Sequence, residues 1–363
     1  MDTEASLEIN QEKSVSQKKW STSNKILSGV LLLIMWIIMA FNTQNADYYA
    51  YSVLYNGIAQ FGMDFSSDSI EPGFRAVMYV CTFISSQYQI FLLIISTVLL
   101  SALLYVIRLF TTNVFLVLFL FFIFGFTSQA IQVRMFSALI FILLAFYHLT
   151  KLRGSKAIFK YIFFILVAGL FHNLAYFYLP FFIVKINKKI TGYVTILSLL
   201  LFSIGQSYIS SIFINTKYDA YFDRNSTSIS HVVMFALFFS ANLFLVHKLS
   251  KMNIYEKKVI SLSSYIFSIN MLASTSIVFL LISNNFIRIT QNIFVLNYII
   301  YASVLMSNYK RTKVKNYIYL LAYFFFIIVC LIFINIRGTA FVNGILPLFR
   351  ENIIFKAVYY FFE

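Results

Sequence analysis

Acidic side chains are scarce in this chain: 13 Asp and Glu stand against 28 Lys and Arg, and charged residues of every kind make up only 11%. So few charges cannot coat a soluble protein of 363 residues. Proline is rarer still, with 3, and there are 2 cysteines. Cys81 and Cys330 lie in apolar stretches without CxxC or other ligand spacing, read as inert core residues, and say little about redox compartment. The chain also lacks a Walker loop, an HExxH pair, a GxSxG elbow and any His/Cys/Asp cluster spaced for a tight metal site. Chemistry, if it occurs here, runs without an energy-coupling domain, and no cofactor is expected.

What is present is apolar: 60% of residues are hydrophobic, 43 are Phe, and the mean hydropathy is +0.82. A spanning helix needs ~20 mainly apolar residues, and such runs recur near 26–42, 88–109, 112–127, 130–150, 157–173, 174–187, 190–214, 229–248, 258–283, 285–306 and 316–336. The expected fold is all-α, a polytopic transmembrane helical bundle of about eleven spans. The ~10-residue alternation of an outer-membrane barrel is missing. Two shorter apolar stretches, 72–86 and 341–362, read as re-entrant or interfacial helices. The run after the polar first 25 residues lacks a small-residue cleavage site and reads as an uncleaved first span. With no internal repeat, the division is a cytoplasmic tail over 1–25, one membrane domain over 26–337 and an interfacial or re-entrant segment over 338–363.

The formal charge of +15 follows membrane topology better than nucleic-acid binding, since no recognition motif is interleaved with the basic residues. Five clusters fit one cytoplasmic side together: Lys13/Lys18/Lys19/Lys25, Lys151/Arg153/Lys156/Lys160, Lys185/Lys188/Lys189, Lys248/Lys251/Lys257/Lys258 and Lys310/Arg311/Lys313/Lys315. That requires 72–86 not to cross fully, Arg108 to face the cytoplasm, and 174–187 to be a short span after a break at His172-Asn173. The basic residues then left outside are Arg75, Arg134, Arg224, Arg288, Arg337 and Arg350, with only Lys217 and Lys356 beside them. Arginine's planar fork grips phosphate and carboxylate bidentately, so this asymmetry points to an anionic ligand at the outer face. The outer loop 43–71 is acidic instead, carrying Asp47, Asp64, Asp68 and Glu71.

Several constellations on that side carry polar groups. Asp47, Tyr51 and Tyr55 share one face at helical spacing, which suits either an interfacial aromatic belt or a ring-stacking wall for a sugar. Glu71 precedes Pro72-Gly73-Phe74-Arg75, as a helix-capping acid or as a base or hydroxyl-binding group at a cavity edge. Gln132 and Arg134 lie inside the start of a span, where a charge is costly unless it is paired, lines water or snorkels. His172 and Asn173 break an apolar stretch, for a structural hydrogen bond, a proton transfer or phosphate contact. Arg288, after Asn284-Asn285, repeats the Arg134 arrangement, and two such arginines suit a diphosphate clamp. Arg337 and Arg350 either add to this or anchor the C-terminal segment. His148 and His247 adjoin lysine clusters, and His231 opens a span on the outer side.

Taken in order, Asp47-x-x-x-Tyr51-x-x-x-Tyr55, Glu71-Pro72-Gly73-Phe74, Arg134-x-x-x-Ala138, the basic loop 151–160, Phe171-His172-Asn173 and Arg288 resemble the EpsG family of Wzy-like polysaccharide polymerases over about residues 30–310. The chain has Met135 where the family often has Gln, and Ala175 where a small hydroxyl residue is common. The resemblance implies a glycosyltransferase of the bacterial cytoplasmic membrane, with its active site facing outward. Its substrates would be undecaprenyl-diphosphate-linked oligosaccharide repeat units, and its setting membrane lipids, a chain-length regulator and other assembly proteins. On that basis Arg134 and Arg288 are expected to hold the departing diphosphate, and Glu71 or His172 to orient or deprotonate the acceptor hydroxyl. Asp47, Tyr51, Tyr55, Gln132, Asn173 and Arg350 are the substrate-binding candidates. The rival readings are a transporter of lipid-linked saccharide or another anion, and a ligase or membrane acyltransferase.

Overall fold

The computed structural model describes residues 20–63, 70–205, 208, 211, 229–251, 257–281, 283–306 and 345–362, and every regular element within them is helical. Six helices are long and apolar enough to cross a bilayer: α1 (Thr22–Ala40), α4 (Tyr88–Phe110), α5 (Val114–Ile131), α6 (Val133–Lys151), α9 (Ile229–Lys251, over its Val232–Lys251 part) and α10 (Lys257–Leu280). Between them lie α2 (Tyr48–Phe61), α3 (Pro72–Thr82), α7 (Gly154–Gly169), a 3-10 helix over Asn173–Phe182 that runs on to Ile186, and α8 (Lys188–Ile204). The more polar α11 (Ile287–Met306) and the short α12 (Leu346–Arg350) and α13 (Ile353–Phe362) follow. Against the expectation of about eleven spans, six helices among the described residues meet that standard of length and composition. The run 316–336, with Cys330, Arg337 and the lysines of 310–315, lies outside the described residues, as do Asp64, Asp68, Lys217 and Arg224.

Local sequence sets most helix boundaries. Ser21 starts α1 by accepting the Asn24 N–H at 3.3 Å, and Asn187 starts α8 by accepting the Lys189 N–H at 2.8 Å. Apolar runs expected as two spans, 112–127 and 130–150, meet at Gln132, the only residue between α5 and α6 outside a helix, with φ −97° and ψ 65°. The segment 43–71 is not simply a loop. It carries α2, whose entry is fixed by the Asn45 side chain accepting the Asp47 N–H at 2.9 Å. The 11 residues of α3 extend ~16 Å, about half the apolar thickness of a bilayer, so this helix does not cross.

The two ends of the bundle are fastened differently. At the lysine-bearing end, the Asn24 side chain donates to Asn113 at 2.9 Å, and the Arg108 guanidinium lies 4.8 Å from the Trp20 ring centre. At the opposite end, Asn352 donates to the Ile37 carbonyl at 2.9 Å and the Thr43 N–H to the Glu351 carbonyl at 3.2 Å. The C-terminal segment is thereby tied to the last turn of α1.

Between these ends, α11 is held by polar side chains in an otherwise apolar interior. Gln129 donates to Asn292 at 3.1 Å, Asn270 and Asn297 exchange hydrogen bonds at 2.7 and 3.1 Å, and the Tyr301 hydroxyl donates to Asn242 at 3.1 Å. The Tyr178 hydroxyl reaches the Ile289 carbonyl at 2.6 Å. Lipid tails are as apolar as leucine, so interhelical hydrogen bonds and close packing fix which helices pair and in what register. Replacing Asn297 with Leu is expected to lower stability by about 1 kcal/mol. Adding Asn270→Leu to Asn297→Leu should cost little more, as read from thermal unfolding in detergent. Full additivity of the two changes would refute the coupling.

Candidate functional site

Four segments distant in sequence meet at the end of the bundle opposite the lysine clusters. The Arg134 guanidinium, in the first turn of α6, donates through Nη1 to Glu71 Oε2 at 2.7 Å and through Nε to the Tyr51 hydroxyl at 2.9 Å. Its plane also lies 5.5 Å from the Tyr51 ring centre. The other Glu71 oxygen, Oε1, accepts the Asn173 N–H at 3.1 Å, and His172 Nδ1 accepts the Leu174 N–H at 3.2 Å. These acceptors satisfy the first two N–H groups of the 3-10 helix, which would otherwise be orphaned at its start.

Glu71 was expected either to cap α3 or to act at a cavity edge. It makes no side-chain cap on α3, although Pro72 occupies the first helical position as expected. A guanidinium offers a carboxylate a stronger, charge-assisted partner than its own helix amides do, and the 3-10 amide takes the remaining oxygen. Glu71 is 5% exposed, so the pair is largely withdrawn from water.

Glycine makes the approach of α3 possible. The Gly73 N–H donates to the Leu170 carbonyl at 2.8 Å, and a Cβ on Gly73 would stand 2.8 Å from that oxygen and 2.9 Å from the Leu170 Cβ. Any larger side chain must push α3 off the turn before His172.

Asp47, at the start of α2, lies in the field of both arginines. Burial pushes its carboxyl above the usual carboxylate range, while the charges of Arg288 and Arg134 and the Tyr51 hydroxyl pull it back. The Tyr51 hydroxyl is 3.5 Å from Asp47 Oδ2, a contact at the limit of a hydrogen bond. Arg288, in the first turn of α11, acts electrostatically on Asp47, Tyr51 and His172, as does Arg134. Arg134, Arg288, Glu71, His172, Asn173, Asp47 and Tyr51 thus form one cluster, from five elements of the chain.

The remaining candidates sit differently. The Tyr55 ring is fully buried against Tyr88 and Phe91, and its hydroxyl donates to the Ser85 carbonyl at 2.6 Å. The Tyr51 ring is 4% exposed and packs on Phe74. An open ring-stacking wall is therefore not formed by these two tyrosines, because the face they share is turned to α3 and α4. Arg350 has a side chain 76% exposed, with Nε 3.5 Å from Glu351, and no described contact joins it to the cluster. Gln132 lies at the break before Arg134, and its Oε1 is buried with no hydrogen-bond partner among the described residues. The side chain of His231 is outside the described residues.

The sequence groups Arg75 with the outward arginines without giving its role, and does not single out Asn292. Arg75 is 4% exposed and donates to the Ile70 carbonyl at 2.8 Å, bracing the segment that delivers Glu71. Asn292, one turn beyond Arg288, anchors α11 through Gln129. A polar residue four positions after an arginine in an apolar run is the signal that marks Asn292. Among the described residues no group of three or more His, Cys, Asp or Glu side chains is gathered for a metal ion.

The geometry can fix two cations beside two carboxylates and a histidine at one end of the bundle. Such a combination is able to bind an anion and to move a proton. A family model described as the EpsG family matches residues 25–348. No curated protein and no solved structure matches the chain.

Replacing Glu71 with Ala is expected to destabilise the protein by about 3–5 kcal/mol, because Arg134 is left as an uncompensated, largely buried charge. Combining Glu71→Ala with Arg134→Ala should cost less than the sum of the two, as read from unfolding midpoints. Gly73→Val should lower stability and activity together; a well-folded, fully active Gly73→Val protein would contradict the close approach described.

Proposed function

Since the chain belongs to the EpsG family, we propose that it is a polysaccharide polymerase that joins oligosaccharide repeat units carried on undecaprenyl diphosphate, at the outer leaflet of the bacterial cytoplasmic membrane. The observation that carries this is the convergence of Arg134 and Arg288, from separate helices, on the same Asp47 and His172. Two guanidinium charges acting on the same groups suit a leaving group with two phosphates. The position of the cluster, at the end away from the lysines, supports an outward-facing site by the positive-inside rule.

In this reading the growing chain leaves its lipid diphosphate and is transferred to a hydroxyl of the next lipid-linked unit. Charge builds on the diphosphate as its bond to sugar breaks. Fixed cations in a water-poor setting stabilise that charge without reorganising, which is ordinarily the largest catalytic term. Arg134 is preset for this task, since Glu71 and Tyr51 hold its fork in one orientation before substrate arrives. Gln132, two residues before Arg134, and Asn173, whose N–H meets Glu71, are assigned as contacts for sugar hydroxyls. A chain-length regulator and other assembly proteins are the partners such a polymerase would meet.

The test is polymer length in cells carrying single substitutions. Arg134→Ala and Arg288→Ala should each abolish long polymer, a loss of at least about 100-fold, while the protein still reaches the membrane. Normal chain length in both would overturn the reading. Purified protein in vesicles should lengthen supplied lipid-linked units, whereas movement of unchanged units across the bilayer would favour transport.

A further inference from the structure

Of the three groups at this site able to take a proton, two are already committed by geometry. Both Glu71 oxygens are engaged, one by the Arg134 guanidinium at 2.7 Å and the other by the Asn173 N–H at 3.1 Å. Accepting a proton there would break the ion pair that orients Arg134, at the moment the departing diphosphate needs that cation. His172 is closed for a different reason. A backbone N–H can only donate, so the Leu174 contact requires a bare lone pair on His172 Nδ1. The ring proton therefore sits on Nε2, where it donates and cannot accept.

Asp47 is held otherwise. Its backbone is fixed, with its N–H donated to the Asn45 side chain at 2.9 Å at the start of α2. Its carboxylate, however, has only the long 3.5 Å contact from the Tyr51 hydroxyl among the described hydrogen bonds. It is half-buried, not sealed as Glu71 and His172 are. Resting on the polymerase reading above, we infer that Asp47 is the catalytic base that accepts the proton of the acceptor sugar hydroxyl, and that Glu71 and His172 are positioning residues. The acceptor hydroxyl oxygen forms a bond to the anomeric carbon of the growing chain, the bond from that carbon to the diphosphate oxygen breaks, its electron pair leaves on the diphosphate, and the hydroxyl proton passes to an Asp47 carboxylate oxygen.

The charged and titratable groups that act on Asp47 are Arg288 on α11, Arg134 on α6 and Tyr51 on its own helix, with Tyr88 on α4 coupled to it in turn. Burial outweighs them and lifts the Asp47 carboxyl, which favours proton uptake. A base works only when deprotonated, so the rate falls as pH drops through this raised range.

The experiment uses full-length protein in vesicles, supplied with lipid-diphosphate-linked repeat units extracted from cells that lack this protein. Asp47→Asn should reduce kcat for chain extension by at least about 100-fold, with KM within about threefold of the parent. Asp47→Glu should retain part of the rate with its acid limb displaced. Glu71→Gln should lower kcat by loosening Arg134, yet keep the parent's acid limb. Near-normal extension by Asp47→Asn overturns the assignment, and so does an acid limb that vanishes in Glu71→Gln while staying unmoved in Asp47→Glu. Should Asp47→Asn fail to fold, the displaced limb of Asp47→Glu decides the question alone. A parent protein that lengthens no unit sinks the polymerase reading itself, and this assignment with it, which is a different result from an active parent with an active Asp47→Asn variant.

Discussion

The Glu71 carboxylate is the fastening on which the site depends. Its two oxygens join α6, 63 positions later in the chain, and the 3-10 helix, 102 positions later, to the start of α3. An ion pair so far withdrawn from water contributes little net stability, because desolvation of both charges offsets their attraction. What it supplies is position. The guanidinium cannot turn away without leaving a buried carboxylate alone, and α3 cannot withdraw without losing the Gly73 contact to Leu170.

The second arginine depends on a different kind of constraint. Arg288 opens a helix that four neutral polar contacts, through Ile289, Asn292, Asn297 and Tyr301, pin to four other elements. Neutral amides cost less to bury than charges and still demand specific geometry from their partners. The cluster therefore rests on one ionic joint and one amide-lined helix, each fixing a cation from its own side. Groups that must stabilise charge in a reaction are best carried by elements whose own places are settled beforehand.

Much of this was legible from residue order, and the illegible part has a physical cause. Arg134, Arg288, Glu71 and His172 stand out because each places a costly group at the edge of an apolar run. The helices themselves follow from those runs, although 112–127 and 130–150 meet almost end to end at Gln132. Pairings were not legible, since periodicity tells which side chains share a face and not what that face meets. Tyr55 and Tyr51 do share a face, as their spacing says, but the face is covered by Phe74, Tyr88 and Phe91. Arg350 belongs to the outward arginines by sequence, yet its neighbours bind it to Glu351 and the surface. Arg75 also counts among the outward arginines by sequence, yet its guanidinium donates to the Ile70 carbonyl, a backbone partner that leaves no pattern in composition.

The tight winding of Asn173–Phe182 has a consequence for depth. Ten residues in a 3-10 helix rise ~20 Å, whereas the same ten in an α-helix rise ~15 Å. Relaxing to the looser form would draw the Asn173 amide ~5 Å away from the Glu71 carboxylate, or drag that carboxylate inward with it. The position of the whole cluster along the bundle axis is thus registered by pitch as well as by how many residues the segment contains.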